Sequence, residues 1–139
     1  MARKQHFTLR LNPDTVRRLI RQAERSGQLK TGLAEQYLEE GVRMAEHPGI
    51  VFRSGPSGRR AGLAGHRLDV WEVIETVKHG DGNAEASAAY LGLSPHLIAV
   101  ALDYYADYQD EIDEWIERNA IEAEEAEVSW RRRNSTLTR

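Results

Sequence analysis

Three kinds of side chain in this sequence are equipped for chemistry: histidines, paired carboxylates and clustered arginines. The five histidines are His6, His47, His66, His79 and His96. No two stand three or four apart, so none can share a helix face as paired zinc ligands do. No metal and no cofactor is expected. The turn from Gly55 to Gly58 lacks the Gly-Lys-Ser/Thr ending of a phosphate loop. Carboxylate pairs such as Glu39-Glu40 and Asp110-Glu111 have no nucleophile or base in register with them, so no enzymatic activity is expected. There are no cysteines, which removes disulfides, thiolate zinc sites and cysteine nucleophiles and fits a reducing cytoplasmic compartment. That leaves the arginines. Arg10 sits in an alternating stretch, Arg59-Arg60 follow a turn, and Arg131-Arg132-Arg133 follow Trp130. A guanidinium suits the edge of guanine or a carboxylate.

The elements that position these groups follow from local pattern. From Gln5 to Asn12, Phe7, Leu9 and Leu11 alternate with His6, Thr8 and Arg10, which predicts a strand with one apolar and one polar face. Asn12 as cap, Pro13 at the first position and Asp14 behind it open a helix that Gly27 ends. A second helix is expected from a cap at Thr31 to about Met44. His47-Pro48-Gly49 breaks it. Ile50–Arg53 and Arg59–Leu63 read as a hairpin about the turn Ser54–Gly58. Asp69 and Glu72 form a capping box for a helix that stops at Gly80. Helices then run from Ala84 to Leu91, from Pro95 with Leu97, Ala101, Tyr105 and Tyr108 on its inner face, and from Asp110 with Ile112, Trp115 and Ile116. Beyond Asn119 the chain is Glu-rich, and the segment from Ser129 is expected to be irregular.

The 139 residues carry 19 basic and 22 acidic side chains, and the balance is uneven. Residues 1–60 have 12 basic and 6 acidic groups, net +6, while residues 61–139 have 7 and 16, net −9. Within the first part, residues 1–30 alone hold 8 basic and 2 acidic groups. No apolar run reaches the ~18 residues of a membrane span, and no apolar stretch follows the basic start, so neither a membrane partner nor a signal peptide is expected.

A strand and two helices, about forty residues, are too few for a core of their own. One solution pairs the strands of two subunits into an antiparallel ribbon. Phe7, Leu9 and Leu11 would then be its dimer core, and His6, Thr8 and Arg10 would face outward twice over. A two-stranded ribbon fits the major groove. The run His-Phe-Thr-Leu-Arg-Leu-Asn-Pro, the helix stop at Gly27 and Lys30-Thr31 resemble the ribbon-helix-helix DNA-binding family over residues 5–45. That resemblance implies base reading by His6, Thr8 and Arg10, and a phosphate held at Lys30, Thr31 and Gly32.

Ala88, Gly92 and Ile98 have helix-turn-helix spacing. The outward positions His96, Ala99, Asp103 and Asp107 suit a groove poorly, because carboxylates repel phosphates. A protein-docking scaffold is the better reading. Residues 47–118 resemble a family of small antitoxins whose genes lie beside PIN-like toxin genes. The residues that carry this are His47-Pro48-Gly49-Ile50-Val51-Phe52-Arg53, Gly58-Arg59-Arg60-Ala61, Leu63-Ala64-Gly65, Asp69-Val70-Trp71-Glu72-Val73 and Tyr104-Tyr105-Ala106-Asp107-Tyr108. The resemblance implies a type II antitoxin similar to the VapB class. It would be homodimeric and would form higher oligomers with its toxin. It would block a carboxylate-rich ribonuclease site with Arg59 and Arg60, or with Trp130, Arg131, Arg132 and Arg133.

The expected fold is mainly α with little β, in three parts. Residues 1–46 are a ribbon-helix-helix unit. Residues 47–119 form a hairpin with a three- to four-helix, helix-turn-helix-like domain, and residues 120–139 form an acidic helix end with a flexible basic tail. The expected partners are operator DNA and a PIN-like toxin, at a cytoplasmic, nucleoid-associated location. A ribbon-helix-helix regulator without a toxin, or a pure interaction module, stays open at this level.

Overall fold

The structure, a computed structural model, describes residues 3–138. In chain order it contains α1 (Pro13–Ser26), α2 (Lys30–Glu46), β1 (Ile50–Gly55), β2 (Gly58–Leu63), α3 (Val70–His79), α4 (Ala84–Leu91), α5 (Pro95–Asp107) and α6 (Gln109–Leu137). The fold is therefore mainly α with one antiparallel hairpin. Among the described residues, no helix is long and apolar enough to cross a membrane. The chain divides into two compact units, residues 1–42 and 43–139, with the boundary inside α2 rather than after it.

Unit 1 is two helices and an unpaired leader. Asn12 Oδ1 accepts from the Asp14 backbone N–H at 2.8 Å, Pro13 opens α1, and Gly27, left-handed at φ 68°, closes it. Residues 5–12, expected as a strand, belong to no strand or helix. A strand needs a neighbour for its N–H and C=O groups, and the single chain supplies none. The expected cap at Thr31 is also displaced. α2 begins at Lys30, and Thr31 lies in its first turn. Among the described residues of this unit, only Ala23 and Leu33 are buried apolar residues.

Unit 2 has the core. Leu63, Val70, Val73, Ile74, Ile98, Ala101, Tyr104 and Ile112 are essentially removed from solvent, and α3 packs against α4, α5, α6 and β2. The inner face of α5 differs from the expected one. Ile98, Val100, Ala101 and Tyr104 are buried, whereas Leu97, Tyr105 and Tyr108 are only partly so. Because α5 is flanked by α3, α4, α6 and β1, its buried arc is wider and rotated from the single stripe that periodicity suggests. The helix-turn-helix spacing does form a helical group, with Ala88 and Ile98 buried and Gly92 left-handed at φ 68°. The segment expected as an irregular basic tail is helical, since α6 runs to Leu137.

The hairpin is tied to α3 by charge. Its turn leaves only Pro56 and Ser57 unpaired, so the register sets Arg53 directly opposite Arg60. Two guanidinium groups side by side would repel. Between them lies Asp69, the residue that caps α3, with its side chain 6% exposed. Asp69 Oδ1 is 3.3 Å from Arg53 Nη1, and Oδ2 is 2.6 Å from Arg60 Nε, close enough for an ion pair though off the hydrogen-bond axis. Arg53 also donates to the carbonyls of Leu63, His66 and Leu68. The Asp69 N–H donates to Glu72 Oε1 at 3.1 Å, as the capping box requires. Gly62 makes room for this arrangement. A Cβ there would collide with Arg53 Nη1, a group that its acceptors hold in place.

Asp69→Asn removes the shared carboxylate charge and leaves two facing guanidiniums. Breaking a buried pair costs about 3–5 kcal/mol, and partial exposure of both arginines lowers the expectation to about 2–3 kcal/mol. Urea unfolding of the full chain measures it. A loss below about 0.5 kcal/mol, the scatter of ordinary surface substitutions, would contradict this role.

Candidate functional site

The residues expected to read DNA lie on the leader and the start of α2. His6, Thr8 and Arg10 are exposed, and the His6 ring nitrogen Nε2 sits 2.9 Å from Thr8 Oγ1. Their alternates Phe7, Leu9 and Leu11 are 76%, 52% and 42% exposed. Leu9 and Leu11, with Leu19, Ala34, Tyr37 and Leu38, border an apolar recess of about 350 Å³ in unit 1. Tyr37, Leu38 and Val42 are themselves exposed large apolar groups. Lys30, Thr31 and Gly32 lie together in the first turn of α2 and are all exposed. A polar strip and an uncovered apolar strip thus alternate along one short segment.

The arginines expected to meet a toxin fall into separate places. Arg60 is partly buried and ion-paired through Nε with Asp69 of its own fold. Arg59 is exposed and donates to Ser54 Oγ at 2.9 Å. Trp130, Arg131, Arg132 and Arg133 are exposed on α6, where Arg131 pairs with Glu127 one turn back. From residue 120 to residue 133 every side chain of this helix is exposed.

The strongest polar network was not visible in the sequence. Arg43, near the end of α2, donates from Nη1 to both Tyr104 Oη and Glu111 Oε1 at 2.8 Å, and Tyr104 Oη donates to Glu111 Oε2 at 2.8 Å. The guanidinium lies 3.9 Å above the Tyr108 ring. Burial opposes the Arg43 charge, but the hydrogen bonds it donates to Glu111 and Tyr104 outweigh this and hold the group above its ordinary range. Burial, then the bonded Glu111 carboxylate, push the Tyr104 phenol well up, and Arg43 offsets part of this. A similar but less buried triad joins Lys78, Tyr105 and Asp113. The hydrogen bond from Tyr105 and then that from Lys78 lower Asp113.

Beside this network His47, 8% exposed, makes a 2.8 Å contact from Nε2 to Asp107 Oδ2. Glu46, His47 and Asp107 are the one group among the described residues whose donor atoms are near enough to hold an ion. Sequence spacing misses them because 60 residues separate His47 from Asp107. For Arg53, Arg60 and Asp69 a signal did exist. A two-residue turn at Pro56-Ser57 would have placed the arginines opposite one another. Comparison with protein-family models, curated proteins and solved structures finds no match for this chain.

The raised Tyr104 phenol has a consequence at alkaline pH. The unfolded chain ionises this tyrosine near its ordinary value of about 10, whereas the folded chain keeps it neutral. The stability contribution is therefore complete below that value and is lost as pH rises beyond it. Tyr104→Phe starts about 1 kcal/mol less stable through lost hydrogen bonds. Its deficit should shrink between about pH 9 and pH 11, as read from urea midpoints. A constant deficit across that window would show that the phenol does not titrate this way.

Proposed function

We propose that this protein is a type II antitoxin. Residues 1–46 act as a ribbon-helix-helix dimer on operator DNA, and the remainder binds and neutralises a PIN-like ribonuclease. The observation that carries this is the leader of unit 1. Its apolar residues Phe7, Leu9 and Leu11 are exposed, Leu9 and Leu11 bordering an apolar recess, and His6, Thr8 and Arg10 alternate with them. A segment with unused backbone groups and one apolar face is completed by an identical segment, and each side chain fully buried by pairing contributes about 1.5–3 kcal/mol. With two buried apolar residues among the described residues of unit 1, such pairing is the main route to a core.

The paired ribbon presents two copies of the polar strip, and the net +6 charge of residues 1–30 draws it to phosphate. Arg10 would take the guanine edge and Thr8 a thymine methyl. Lys30, Thr31 and Gly32 are exposed in the first turn of α2, where helix N-terminal amides suit a backbone phosphate. Support for the toxin half is the resemblance of residues 47–118, together with the exposed α6 segment. There Trp130 offers an anchor and Arg131–Arg133 offer charge to a carboxylate-lined site.

Two measurements test the reading. The full chain should be a dimer that binds DNA from upstream of its own gene, with affinity falling as salt rises, and Arg10→Ala should cost about 1–3 kcal/mol and relax base preference. Unchanged affinity in that variant would remove the strand from the groove. Truncation after Ala120 should abolish neutralisation of the neighbouring gene's product while DNA binding persists. Intact neutralisation would clear α6 of that role, and absence of any protein partner would favour a regulator acting alone.

A further inference from the structure

We infer that Glu46, His47 and Asp107 form a binding site for one divalent transition-metal ion of the zinc class. The three come from the end of α2, the residue after it and the last residue of α5, and their donor atoms lie within 4.8 Å of one another. The imidazole is the fixed member. It is buried, with Tyr104 and Tyr108 edge-on at centroid distances of 5.3 and 6.0 Å, and its Nε2 already points at Asp107 Oδ2. The carboxylates are the adaptable members. Glu46 and Asp107 are both exposed, so an ion reaches them from solvent and both side chains can turn toward it.

The dimensions fit. Zinc bonds to nitrogen and oxygen ligands at about 2.0–2.2 Å, which sets donors of a tetrahedral site about 3.3 Å apart. The His47–Asp107 pair opens slightly from 2.8 Å and Glu46 closes in. The ion takes the place of the proton in the hydrogen bond between the two. A neutral imidazole and two carboxylates balance a dication, and water completes the fourth position. An imidazole nitrogen favours zinc, cobalt or nickel over magnesium or calcium. α2 and α5 both terminate here, so their C-terminal carbonyls add negative potential. The nearby Arg43 charge is taken up by Glu111. This site shares no residue with the DNA and toxin contacts named above, and its test does not depend on them.

The experiment uses the full chain, stripped with EDTA and titrated with Zn²⁺ by calorimetry, with Co²⁺ absorption as a second probe. The expected result is saturation at one ion per chain, a rise in thermal midpoint and an intensified visible Co²⁺ spectrum. Glu46→Gln and Asp107→Asn should each weaken Zn²⁺ binding about tenfold or more and reduce the Co²⁺ signal. Both residues are exposed, so these variants keep the fold where His47→Ala would open the core; an unchanged midpoint in EDTA checks this. Binding only above about 1 mM Zn²⁺, or equal binding by the double variant, would overturn the assignment.

Discussion

A single carboxylate, Asp69, holds the larger unit in register. It caps α3, and it separates two arginines that the hairpin register forces into opposition. These roles depend on one another. Without the charge between them, Arg53 and Arg60 would spread the strands, and the strands carry Ile50, Ala61 and Leu63 into the core. Without the cap, α3 would lose its first turn, from which Val70 and Val73 enter the same core. The buried ion group therefore does less to add net stability than to exclude other arrangements, because only one register brings all three charges together.

The two units solve the problem of size in opposite ways. Residues 43–139 enclose a core from two strands and four helices, and they spend their polar groups on internal bonds such as Arg43 with Tyr104 and Glu111. In residues 3–42, Phe7, Leu9, Tyr37, Leu38 and Val42 are left in water, and residues 3–12 join no strand or helix. Surface that remains uncovered at this density is characteristic of a contact surface.

Much of the fold is legible in the sequence, because caps and breaks are local chemistry. Asn12-Pro13, Gly27, Asp69 with Glu72, Gly80 and Gly92 mark helix ends that the structure contains. Rotational phase is less legible. Tyr104, not Tyr105, enters the core, since four neighbouring elements decide which arc of α5 is buried. Long-range partners are not legible at all. Nothing in the spacing joins Arg43 to Glu111 across 68 residues, or Glu46 and His47 to Asp107. Residues 5–12 show a further limit. Alternation describes what a segment can become, and a single chain lacks the second strand that would make it so.

The far half of α6 has a consequence for the behaviour of the chain as a whole. At 29 residues the helix is about 43 Å long, yet the side chains from residue 120 to residue 133 contribute nothing to a core. Such a helix, held by propensity and by pairs like Glu127 with Arg131, is near the margin at which isolated helices form in water. Its helix–coil equilibrium is gradual and its coupling to the enclosed core is weak. On heating, helical content should accordingly begin to fall while the aromatic core around Tyr104 is still intact, so that a two-state midpoint refers to the core.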